Sequence, residues 1–230
     1  MQRVIWVTGS TGNLGAAVCR RFLREGDRVI GSILPGEALA HAPASEGLEY
    51  RPLDLLDEQA VQEDVEAIAR TTGRIDVAVL TAGGFAMGDI AKTGLEDIHR
   101  QLRLNFDTAY NAARPVFRHM MSNGRGRIFL VGSRPGMDMR YGKGMTAYSL
   151  SKSLVFRLAE LMNREAQGSD VVTCVLVPGT IDTPQNRASM PDADFSAWVS
   201  PDAIAETIHY HSLPEAGHLR EPVLKVYGRS

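Results

Sequence analysis

The sequence predicts a single-domain α/β fold, residues 1–230, built on a doubly wound sheet of about seven mainly parallel strands with helices on both faces. Two observations predict it. Short β-branched runs alternate with longer segments of helical period along the whole chain, the pattern of a parallel sheet with crossover helices. A glycine-rich turn, "VTGSTGNLG", joins the first of these strands to the first helix. At 230 residues the chain is long enough for one well-packed core and lies within the range of one α/β domain.

In chain order, the strand candidates are 3–8, 28–33, 48–51, 75–80, 127–131, 171–177 and 223–227. Helical period marks 14–25, 57–72, 94–122, 146–167 and 201–212. "SNGRG" at 122–126 supplies the Asn and Gly that stop a long helix. "VSPDAIAET" starts the last one, with Ser200 as N-cap and Pro201 at the first helical position. The most irregular stretch, 178–200, is rich in Pro, Asp, Ser and Met and too long for an ordinary connection. Such a loop after a strand's C-terminal end often covers a ligand, so 184–200 is read as a substrate-covering loop.

Composition narrows the function. Hydrophobic content of 44% and charged content of 23% describe a soluble globule. A formal charge of −2 gives no pull toward nucleic acid or an acidic membrane, which leaves a small molecule as the expected partner. Cys19 and Cys174 fall in different elements without metal-ligand spacing and read as buried hydrophobes. His41, His99, His119, His209, His211 and His218 are scattered, so no metal is expected. No apolar run approaches the roughly 18 residues of a membrane span. The chain opens directly into "VIWVTG" without a leader, and a cytoplasmic, reduced protein is expected.

The glycine loop carries Gly9, Gly12 and Gly15. Glycines at this junction let the backbone approach a pyrophosphate, while the helix N-terminus offers unpaired amides and a positive dipole end. A tight turn with nothing bound has the same spacing, but position in the first βα unit favours a dinucleotide. An acid at the end of the second strand usually binds the adenosine ribose. Here that position is Leu34, with neither acid nor base beside it. Ser32 and Glu37 are weak substitutes, and the choice between NAD and NADP stays open.

"AYSLSK" at 147–152 sets Tyr148 and Lys152 four residues apart on one helix, able to share a face. A phenol with a pKa of about 10 yields its proton reluctantly, and a nearby ammonium stabilises the phenolate. The spacing also arises by chance on many amphipathic helices. Its surroundings are more specific: "TGSTGNLG", Asp54 in "PLDLLD", "TAGG" at 81–84, Asn105 in "RLNFDTAY", Ser133 in "IFLVGS", "YSLSK" and "PGTIDTP" at 178–184. In this order, across essentially the whole chain, they resemble the short-chain dehydrogenase/reductase family.

The resemblance implies a Rossmann-type fold, an NAD(P)H cofactor and hydride transfer between a ketone or aldehyde and an alcohol. It implies Tyr148 as proton donor, Lys152 as the charge that tunes it and holds the nicotinamide ribose, Ser133 on the substrate oxygen, and Asn105 in a water-linked proton relay. For the cofactor it implies Gly9, Thr11, Gly12, Asn13, Leu14, Gly15, Asp54, Leu55, Ala82, Gly83 and Gly84, and around the nicotinamide Pro178, Gly179, Ile181 and Thr183. Asp54 is equally a turn or cap former. A homodimer or homotetramer through the helices at 94–122 and 146–167 is also implied, although their apolar stripes could be used up within one subunit.

Three departures stand out: GxxGxxG for the commoner TGxxxGxG, "TAGG" for "NNAG", and Leu34 for the acid. The first two, with "DTPQNRASMPDADFSAW" at 182–198, resemble dihydropteridine reductase. Ser133 suits ketone or alcohol chemistry better than a quinonoid pterin. A pteridine reductase-like activity is therefore the alternative, and a non-catalytic dinucleotide-binding sensor or scaffold the alternative of another class. The expected pocket wall is Phe85, Met87, Arg134, Met137, Tyr141, Met145, Met190, Phe195 and Trp198, with Arg134 and Arg187 either gripping a substrate or solvated.

Overall fold

The structure, a computed structural model, describes residues 2–37 and 45–229. His41 lies outside them. Among the described residues seven strands form one sheet in the order β3-β2-β1-β4-β5-β6-β7: β1 Val4–Thr8, β2 Arg28–Ile33, β3 Leu48–Pro52, β4 Val77–Leu80, β5 Arg125–Val131, β6 Asp170–Pro178 and β7 Val223–Val226. Every pairing is parallel.

Alternation along β1 makes the two-sided core. Val4 and Trp6 join one buried cluster with Val61, Val65 and Ile68 of α2 (Glu58–Thr72), Ala112, Val116 and Met120 of α4 (Thr108–Asn123), and Val155 and Met162 of α6 (Thr146–Glu165). Ile5 and Val7 join the other with Ala17, Val18 and Phe22 of α1 (Asn13–Arg24) and Ile204, Ala205 and Ile208 of α8 (Pro201–His211). Each fully buried large side chain of this kind contributes about 1.5–3 kcal/mol. The Cys19 and Cys174 thiols are buried in the second cluster, and burial pushes both up to about 12. Among the described residues there is no helix long and apolar enough to cross a membrane and no cluster able to hold a metal ion.

Helix ends follow their caps. Ser200 Oγ accepts from the Ala203 amide at 3.1 Å, and α4 stops at Gly124, whose φ of 72° is left-handed. The segment 94–122, expected as one helix, is not uniform: α3 (Leu95–Leu102) passes through a π-helical turn, Arg103–Asp107, before α4. That turn holds Asn105. Two stretches expected as loops contain short helices, α5 (Arg134–Met137) and α7 (Pro184–Ser189). Each begins with a hydroxyl cap and a proline in its first turn: Ser133 accepts from the Gly136 amide at 3.0 Å, and Thr183 from the Asn186 amide at 3.2 Å.

Strand order reverses beside β1, where β2 and β3 lie on one side and β4 to β7 on the other. Open parallel sheets bind ligands at the carboxyl ends of the strands at such a switch point. There the chain gathers its chemistry.

Candidate active site

The loop between β1 and α1 is shaped by its glycines. Gly9 has a φ of 60°, and a Cβ on Gly15 would lie 2.2 Å from the Gly9 carbonyl oxygen, so a larger residue would force the loop apart. Helix α1 has Gly12 at its N-cap, no capping side chain and no acid in its first turn. Its leading amides and dipole therefore face outward uncompensated, as an anion site requires.

Beside this turn lies a cavity of about 450 Å³. Of the residues expected at a dinucleotide, Gly9, Thr11, Gly12, Asn13, Leu14, Gly15, Asp54, Leu55, Ala82 and Gly83 line it. Asp54 also accepts the Leu56 amide at 2.9 Å, so it forms a turn and faces the cavity at once. Gly84, Pro178, Gly179, Ile181 and Thr183 are not part of this lining. Gly84 is held by Asn105, and Ile181 bridges to Val199, closing the base of the 178–200 segment. Asn13 Nδ2 donates to Gln185 Oε1 at 2.9 Å and ties the glycine loop to α7. The cradle, the uncapped helix and the cavity fit the pyrophosphate and adenosine of a nicotinamide dinucleotide.

At the ends of β4 and β5, four polar side chains converge. Asn105 is buried: Oδ1 accepts the Gly84 amide at 2.9 Å, while Nδ2 faces the Gly84 carbonyl, Gln101 Oε1 and Ser151 Oγ at 3.0, 3.0 and 3.1 Å. Lys152 is 5% exposed, and its Nζ donates to the Val131 carbonyl at 2.8 Å. Burial lowers its pKa from 10.5 to about 8. Tyr148 is half-buried with Phe85 edge-on at 5.0 Å. Desolvation raises its pKa, and a hydrogen bond from Ser133 pulls the other way. Lysine thus points to the strand end, and the tyrosine's immediate polar neighbour is the serine.

Sequence reasoning missed Gln101 and Ser151, which complete the Asn105 network; Gln101 precedes Asn105 by four residues, the one available signal. It also missed Gly136, where a Cβ would lie 2.6 Å from Lys152 Cβ. Only glycine lets α5 press against α6 there.

The expected substrate-facing side chains pair off. The Arg134 guanidinium sits 4.5 Å from the Tyr141 ring centre and 4.6 Å from that of Tyr227, a residue not foreseen for the site. Phe195 and Trp198 pack at 4.8 Å. Arg187 is ion-paired with Asp182 at 2.6 Å and lies over Phe195, which resolves it as a brace within the segment. Met137 packs against the core cluster.

A family model described as short chain dehydrogenase matches residues 3–194. The chain belongs to the short-chain dehydrogenase family. It is 31% identical over 197 residues to a 2-(R)-hydroxypropyl-CoM dehydrogenase of Xanthobacter autotrophicus, covering 81% of this chain and 78% of that protein. It is 30% identical over 193 residues to a cyclic-di-GMP-binding biofilm dispersal mediator protein of Escherichia coli, covering 84% and 78%. The solved structure of ElxO with NADP bound superposes with a TM-score of 0.90 over 99% of this chain and 98% of that one; at 21% identity this likeness bears on the fold alone. Membership makes the protein an oxidoreductase with a nicotinamide dinucleotide cofactor, as the sequence predicted.

Proposed function

We propose that this short-chain dehydrogenase interconverts a ketone or aldehyde and an alcohol on a small organic substrate, with Tyr148 as the proton donor. The observation that carries the reading is the convergence of Tyr148 and Ser133 over buried Lys152 and Asn105. Burial keeps the Tyr148 phenol protonated at neutral pH, the state a general acid needs. In the reduction direction its Oη releases a proton to the carbonyl oxygen while Ser133 Oγ hydrogen-bonds that oxygen and stabilises the charge growing there. Lys152 steadies the phenolate left behind and holds the nicotinamide ribose; Asn105 supports the relay that returns the proton. The bound nicotinamide supplies the hydride. Because Lys152 titrates at about 8, reduction should weaken as pH rises through that value.

On this reading Arg134, Tyr141, Phe85 and Trp198 contact substrate, and 184–200 covers it. The exposed Leu150, Leu154 and Leu161, spaced to share one face of α6, support a homodimer or homotetramer. A cytoplasmic location accompanies the reading. The test is cofactor absorbance with a panel of ketones, aldehydes, alcohols and a quinonoid dihydropteridine. Tyr148→Phe should lower turnover by about 10²–10⁴-fold with dinucleotide affinity nearly unchanged; retained turnover removes Tyr148 as the acid. Turnover confined to the pterin would favour the pteridine reductase-like alternative. The name of the E. coli relative favours a second reading, a regulatory nucleotide-binding role, which displacement of NADH by cyclic-di-GMP without turnover of any panel member would support.

A further inference from the structure

We infer that Glu37 takes the place of the missing strand-end acid and makes the protein selective for NADH over NADPH; the inference rests on the oxidoreductase reading and deepens it. The side chain at the end of β2 is Leu34, 64% exposed and without polar groups. The chain then turns at once. In "LPGE", Pro35 and Gly36 occupy the two central positions, Gly36 has a φ of 81°, and the Glu37 amide donates to the Leu34 carbonyl at 3.0 Å. Proline followed by a left-handed glycine defines a type II turn, which folds residue 37 back onto residue 34.

The carboxylate is fixed at that spot. Glu37 Oε2 accepts the Leu34 amide at 3.0 Å, and Oε1 accepts the Thr11 hydroxyl from the glycine loop. Glu37 and Leu34 both line the cavity of about 450 Å³, together with Ser32 and Asp54. An acid three residues late in sequence is thus returned to the strand end, anchored from both sides of the adenosine site. Two anchoring bonds leave a carboxylate with lone pairs to spare, enough to accept from ribose hydroxyls.

A 2′-phosphate at the same place would meet a fixed negative charge. No lysine or arginine is among the described residues lining this cavity. Arg51, which pairs with Ser32 in the β2–β3 register, is committed to Glu49 at 3.0 Å and Asp64 at 2.6 Å. The Ser32 hydroxyl is itself engaged by Trp6 Nε1 at 2.8 Å.

The test is titration of the wild-type protein and Glu37→Gln with NADH and with NADPH, followed by nicotinamide fluorescence and calorimetry at low salt. Wild type should bind NADH at least about tenfold more tightly, and the variant should narrow that ratio to within about threefold, chiefly by gaining NADPH affinity. A wild-type preference for NADPH, equal affinities, or a ratio unchanged in Glu37→Gln overturns the assignment while leaving the oxidoreductase reading intact. Binding of neither dinucleotide overturns both.

Discussion

Replacing Lys152 with methionine should make the ligand-free protein more stable at neutral pH while it abolishes turnover. The lysine is 5% exposed, and burial moves its pKa from 10.5 down to about 8. At pH 7 a displacement of that size is about 3 kcal/mol held against the folded, charged form. Methionine removes the charge and keeps the apolar stem, but leaves the Val131 carbonyl without the 2.8 Å bond it now accepts, a loss of about 1 kcal/mol. The net gain is about 2 kcal/mol, a rise in Tm of about 4–8 °C for a chain of this length. The pH dependence follows from the direction of the shift. Between about 8 and 10.5 the unfolded chain binds more protons than the folded one, so wild-type stability climbs with pH through that window. The variant lacks the group and does not climb. Its advantage should be full below pH 8 and close as pH nears 10.5. Thermal denaturation of both proteins in steps from pH 7 to 10.5 measures it. A variant no more stable than wild type at pH 7, or a gap constant across the window, refutes a charged, desolvated lysine.

Gly136→Ala should cost about 1–3 kcal/mol, because the added methyl would stand 2.6 Å from Lys152 Cβ and 2.8 Å from its carbonyl carbon. Turnover should fall at least about tenfold as the lysine is displaced; urea unfolding and steady-state kinetics report the two effects, and unchanged kcat would show that α5 does not position Lys152. Ser200→Ala removes the α8 cap seen at 3.1 Å and should lower Tm by about 2–4 °C. Dinucleotide affinity, measured alongside, should stay as it was.

Most strands were legible because they are short runs rich in β-branched residues between polar turns, and β2 begins and ends where that pattern does; β3, LEYRP, has no β-branched residue. The ends of α4 and α8 were legible for a local reason too: a cap or a stop residue lies within a few positions of the event it controls. What escaped reading depends on distant partners. Nothing in the period of 94–122 announces a π-turn, whose extra residue brings Asn105 to Gly84 on another element. Helices α5 and α7 are too short for periodicity to register, although Ser133-Arg134-Pro135 and Thr183-Pro184 carry cap-and-proline starts. Taken from the sequence, Glu37 is only a weak ribose contact; the Pro-Gly pair before it is the stronger signal, since it fixes where the acid returns.

The capping bond at Ser133 bears on direction in the proposed reaction. A serine hydroxyl is a rotor with one hydrogen and two lone pairs. One lone pair is taken by the Gly136 amide at 3.0 Å, which leaves the hydrogen to the side away from α5, where the Tyr148 hydroxyl also lies. The start of a four-residue helix thus sets the compass of a hydroxyl before any substrate arrives. If Ser133 acts on the substrate as proposed, a carbonyl oxygen would meet a dipole already aimed, with little rotation left to be done as charge builds on it.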